Sequence, residues 1–124
     1  MAEKRSYKPD PKPEKRKKNA KAMRDQHVRG IFCVVCGEGG NLHHLLAKGD
    51  PAASGDDVPS NFAGLCGSGT SGCHGLYHAG DDWVCRALGL YVLNERPDFV
   101  FYLQGKLGEE QARSWLQRRL RLDI

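Results

Sequence analysis

The rhythm of hydrophobic and polar positions changes along the chain. Residues 1–20, "MAEKRSYKPDPKPEKRKKNA", carry no apolar period and are rich in Lys and Pro. They predict a basic disordered arm, extended near Pro9, Pro11 and Pro13. "AKAMRDQHVR", residues 20–29, predicts a short helix. From Gly30 apolar runs of strand length alternate with glycine-rich turns. "IFCVVC" reads as a short strand or the entry to a metal-binding knuckle, with "GEGG" as its turn. "NLHHLLA" and "NFAGLC" read as two further short strands, separated by the loop "KGDPAASGDDVPS". "GSGTSG" is a flexible turn, after which a helix starts near Ser71 or Cys73.

Past residue 80 the spacing becomes helical. "DDWVCRALGL" opens with acids suited to a helix N-terminus and closes at a glycine. "RPDFVFYLQGKLG" offers Asp98 as an N-cap and places Phe99, Leu103 and Leu107 in one stripe. "EEQARSWLQRRLRL" sets Ala112, Trp115, Leu116 and Leu120 on one side, with Arg113, Arg118, Arg119 and Arg121 mostly off it. The stripes read as helices packing back onto a small core. The pattern predicts an α+β fold, with residues 21–124 as one domain: a core over about 30–80 and a helical extension over about 81–124.

Composition narrows this picture. A chain of 124 residues with 15 glycines and 8% aromatic residues makes a modest core, which gains from a metal staple. No apolar run reaches the length of a membrane span, and no apolar segment follows the basic start as in a secretory signal. A cytoplasmic, reducing setting is expected. The net charge of +4 is unevenly placed. Residues 1–29 hold eleven Lys/Arg against four Asp/Glu, and residues 30–124 hold eight against eleven. The positive charge therefore lies in the leading arm, which reads either as a solubilising tail or as an arm whose lysines and arginines contact nucleic-acid phosphates.

The candidate chemistry sits between residues 33 and 78. Cys33-x2-Cys36 has knuckle spacing, which brings two thiolates onto one tetrahedral ion. Cys66 and Cys73 form a second, wider pair, closed by a turn with three glycines. Outside a secretory setting, four such cysteines point to structural zinc rather than to disulfides. Cys85 is left over and reads as a buried free thiol. "CHGLYH" places His74 and His78 four apart, on one helix face, directly after Cys73. His43 and His44 stand one strand earlier. Three imidazoles from two elements can hold a divalent ion with positions open for water and ligand, and a fourth can act as a base. Adjacent residues of a regular strand face opposite ways. For His43 and His44 to serve one site, the strand must end or bend there.

The order Cys33-x2-Cys36, His43-His44, Asn61, Cys66, Cys73-His74, His78 resembles the HNH endonucleases of the ββα-metal (His-Me finger) superfamily. The segment from Arg96 to Arg119 also resembles the C-terminal extension of small HNH proteins from actinobacterial phages. The resemblance covers residues 30 to about 80 well. It implies a ββα-metal core stapled by the zinc knuckle on Cys33, Cys36, Cys66 and Cys73. It implies that His43, His74 and His78 bind a catalytic divalent metal, that His44 is the general base, and that Asn61 orients the loop between the strands. The Cys66–Cys73 turn and the loop from Lys48 to Ser60 are both longer than that family's pattern. Imidazole ligands suit Zn2+, Ni2+, Co2+ or Mn2+, and Mg2+ serves many enzymes of this kind.

The function so implied is metal-dependent hydrolysis of DNA phosphodiester bonds. The substrate is expected to be double-stranded and read with weak sequence preference, the arm and the C-terminal arginines touching its backbone. In a phage setting the enzyme would act in the host cytoplasm, in DNA processing or in packaging beside a terminase. The alternatives are a non-catalytic, zinc-stabilised DNA-binding module and a junction- or RNA-directed nuclease of the same fold.

Overall fold

The computed structural model describes residues 31–124. The basic arm expected over residues 1–20 and the helix expected over residues 20–29 lie outside them. The fold is α+β. Strands β1 (Asn41–His44) and β2 (Phe62–Leu65) pair antiparallel, with Leu42 opposite Gly64 and His44 opposite Phe62. The long connection between them ends in a single 3-10 turn, Pro59–Asn61. Helices α1 (Gly72–Ala79), α2 (Asp82–Glu95), α3 (Pro97–Leu107) and α4 (Glu109–Arg119) follow. Of the two readings of "IFCVVC", the knuckle holds. Phe32 makes one isolated bridge to Gly39, and the chain turns tightly so that the Gly37 N–H donates to the Cys33 carbonyl at 2.9 Å.

Among the described residues one cluster of buried side chains links the strands to the helices. It starts at Cys33, Leu45, Leu46 and Leu65 and continues through Tyr77, Leu88, Phe99, Leu103 and Trp115 to Leu120. The stripe residues Ala112, Trp115 and Leu116 of α4, and Leu120 at its C-cap, are all buried. Phe99 and Leu103 are buried too, while Leu107 packs against the cluster from its edge. The C-terminal helices therefore complete the core that supports the strands.

Two helix boundaries differ from the sequence reading. α2 does not stop at Gly89 but runs on to Glu95. Gly89 is a point of close approach: a Cβ there would lie 2.4 Å from the Leu120 carbonyl oxygen. The glycine lets the C-terminal tail cross the helix. Asp98 is not the N-cap of α3; Arg96 is, and Pro97 takes the first helical position. Asp98 lies in the first turn and accepts from the Arg96 guanidinium at 2.9 and 3.0 Å. The same guanidinium donates to the Phe62 carbonyl at 2.7 Å, so it ties the start of α3 to β2. Among the described residues no helix is long and apolar enough to cross a membrane.

Candidate metal centre and histidine cleft

The four knuckle cysteines meet. The Sγ atoms of Cys33, Cys36, Cys66 and Cys73 all lie within 4.8 Å of one another, and Cys36 and Cys66 are 3.6 Å apart. Four thiolates at ~2.3 Å from a tetrahedral zinc would stand about 3.8 Å from each other. The donor set fits such an ion, and four cysteines close together can hold a metal. The long turn before Cys73 closes through its glycines. Gly67 and Gly72 take φ of +85° and +63°, in the left-handed region that disfavours other residues. The Cys73 N–H then donates to the Cys66 sulfur at 3.3 Å, and the His74 N–H to the Cys66 carbonyl at 3.0 Å. These two bonds fix the pitch of α1 against the knuckle despite the turn's length.

The thiols are electrically unequal. Burial works to raise the Cys33 thiol, but backbone N–H groups around it outweigh that and bring it down to about 7. Burial and the neighbouring sulfurs push Cys73 well up. A first thiolate thus opposes the next, until a cation offsets the repulsion. Cys85 stands apart from this group, as expected. It is a buried free thiol on α2, and the Arg119 guanidinium donates to its sulfur at 3.4 Å.

His43, His44, His74 and His78 all line one cleft of about 310 Å³, with Leu42, Ala47 and Lys48. β1 ends at His44, which is how neighbouring residues of a strand come to share it. Beyond His44 the chain bends away: the Leu45 N–H donates to the Asn61 carbonyl at 2.8 Å, and the Leu45 carbonyl accepts from the buried Tyr77 hydroxyl at 2.7 Å. The second bond locks α1, and hence His74 and His78, to the end of β1. His74 and His78 face each other with their Nε2 atoms 2.7 Å apart. His43 stacks on His74, ring centroids 3.3 Å apart. Burial, and then the charge of His78, hold the His74 imidazole below its ordinary value and favour the neutral form that a metal requires. The His74 Nδ1 is buried and has no hydrogen-bond partner among the described residues. The Nε2 atoms of His74 and His78 thus meet on one helix face with the His43 imidazole beside them, while among the described residues only the four cysteines bring three or more ligand atoms close enough together to hold an ion.

Asn61 is fully buried. Its amide accepts from the Leu46 N–H at 2.8 Å and donates to the Leu46 and Asp56 carbonyls at 3.1 and 3.0 Å. It binds the two ends of the β1–β2 loop to each other.

Three features escaped the sequence. Asp57 Oδ1 lies 2.6 Å from His44 Nε2, within hydrogen-bond distance. Asp56 points the other way, into a buried ion pair with Lys106 of α3 at 2.9 Å, and takes a bond from the Tyr102 hydroxyl at 2.8 Å. Nothing in "SGDDVPS" distinguishes these two carboxylates before the fold does. Finally, two of the four C-terminal arginines turn inward. Arg119 covers the Tyr77 ring at 3.9 Å and donates to the Tyr77 carbonyl at 2.7 Å, while Arg121 donates to the Gly80 carbonyl at 3.0 Å. They cap the C-terminus of α1, where positive charge is favourable, and Arg113 and Arg118 stay exposed. In comparison with known proteins, no family model, no curated protein and no solved structure matches this chain.

Proposed function

We infer that this chain is a metal-dependent DNA endonuclease of the HNH type, stapled by a structural zinc on Cys33, Cys36, Cys66 and Cys73. The observation that carries this reading is the convergence of His43, His44, His74 and His78 on one cleft beside a complete four-cysteine group. A single structural zinc does not need four imidazoles besides four thiolates. The cleft is open and has Lys48 at its wall, which supplies positive charge for a phosphate.

In this reading His43, His74 and His78 hold the divalent ion, which when bound supplies positive charge to the scissile phosphate and the departing oxygen. His44 is not spent on that ion. It takes a proton from water, whose oxygen forms the new bond to phosphorus while the 3′ oxygen leaves with the electron pair of the broken P–O bond. Tyr77 and Asn61 hold the two sides of the cleft in register. DNA is the expected substrate, with the basic arm as an added phosphate contact. A role beside a phage terminase rests on the resemblance of the C-terminal segment alone.

The test is plasmid cleavage by the purified, zinc-loaded full chain with Mn2+, Mg2+, Ni2+, Co2+ or Zn2+ added. Nicking or linearisation that depends on the added ion, and stops on chelation, is the expected result. No cleavage with any ion, together with tight DNA binding, would replace this reading with that of a zinc-stabilised binding module. Cleavage of branched DNA or RNA in preference to duplex would move the substrate class.

A further inference from the structure

We propose that Asp57 is the positioning residue of His44: it holds the Nε2 proton and so leaves Nδ1 as the nitrogen that works in the cleft. This deepens the nuclease reading and rests on it. The His44 Nε2 to Asp57 Oδ1 separation is 2.6 Å, and the two side chains are only 12% and 7% exposed. A carboxylate only accepts, so the proton between them belongs to Nε2, and in the neutral ring the lone pair then lies on Nδ1. On another side the Phe62 ring meets the imidazole edge-on, centroids 5.5 Å apart at 80°. The ring is thus fixed in plane and in tautomer before any substrate arrives. When Nδ1 takes the water's proton, the resulting imidazolium keeps its Nε2–H on the Asp57 carboxylate, which offsets the new charge.

Asp57 is itself held by α3. The preceding residue is fastened at three points. The Asp56 N–H donates to the Tyr102 hydroxyl at 2.9 Å, its carbonyl accepts from Asn61 at 3.0 Å, and its carboxylate takes Tyr102 and Lys106. With Asp56 anchored inward, the next side chain is presented to His44. This gives the C-terminal extension a part in the site: Tyr102 and Lys106 set the loop that sets the base.

The experiment is imidazole ¹⁵N NMR on the zinc-loaded full chain with the rings neutral, paired with plasmid kinetics. His44 is expected to show a protonated, pyrrole-type Nε2 and a pyridine-type Nδ1. Asp57→Asn keeps the shape but offers an amide N–H to the same nitrogen, which should move the proton to Nδ1. Its kcat should fall roughly 10²–10⁴-fold, with KM for DNA, zinc content and melting temperature near those of the parent. Asp57→Ala should lose the tautomer preference and lose kcat to a similar extent. A parent His44 protonated at Nδ1, or either variant with parental kcat, would overturn the proposal. The expected tautomers in a protein that cleaves no DNA would uphold the Asp57–His44 assignment and overturn the nuclease reading alone.

Discussion

Asn61 shows how much one buried side chain can decide. Its amide satisfies the Leu46 N–H and two carbonyls across the loop. Each buried polar group left without a partner costs ~1–3 kcal/mol. Asn61→Ala is therefore expected to lose about 3 kcal/mol in denaturant unfolding of the zinc-loaded protein; a loss within error would remove Asn61 from its loop-holding role. The ligand candidates were legible in the sequence because Cys and His at such spacings have few other uses. Asp57 was not. Asp50, Asp56 and Asp57 occupy one Gly/Pro/Ser-rich stretch, and local sequence gives each the same reading. Only the fold sends Asp50 to the Trp115 indole at 2.9 Å, Asp56 to Lys106 and Asp57 to His44.

At the scale of elements, apolar spacing located both strands and the helices, and it failed at their ends. The same residue types serve as helix stops and as contact points. Gly89 read as a stop because glycine favours that place, yet here it admits the tail over α2. Gly89→Ala adds a methyl at the crossing and also raises helix propensity by ~1 kcal/mol, so the clash with the Leu120 carbonyl must outweigh that gain. The substitution is expected to destabilise by ~1–3 kcal/mol, read as a lower melting temperature with zinc content unchanged; a stabilised variant would show that the tail yields freely. Lys106 tests the link between α3 and the loop. Lys106→Met leaves the Asp56 carboxylate buried without its cation, a change that costs ~3–5 kcal/mol at such pairs. Cleavage should weaken along with stability. Tyr102 and Lys106 have no signature in the sequence as partners of a loop roughly fifty residues upstream, since separation along the chain says nothing of a meeting in space.

For the whole molecule, the cysteine knuckle and the helices share one core: Cys33 and Cys73 belong to the same buried cluster as Leu88 and Trp115. Metal binding at such a site is part of the folding free energy. Cys36→Ala should unfold or aggregate, and retained zinc with an unchanged melting curve would refute the structural role. The charge division makes a separate prediction. Removing residues 1–20 takes away eight Lys/Arg and three Asp/Glu, so DNA affinity and its salt dependence should both fall while the cleavage chemistry stays. An unchanged salt slope would make the arm a solubilising tail. The central claim is that His44 does chemistry while its neighbours hold metal, and plasmid cleavage by His44→Ala beside His43→Ala and His78→Ala, across divalent-ion concentration, tests it most directly. His44→Ala should fold, keep its zinc, bind DNA as the parent does, and cleave ~10²–10⁴-fold more slowly at every ion concentration. His43→Ala and His78→Ala should recover in part as the ion is raised. A His44→Ala protein that cleaves like the parent would contradict the account.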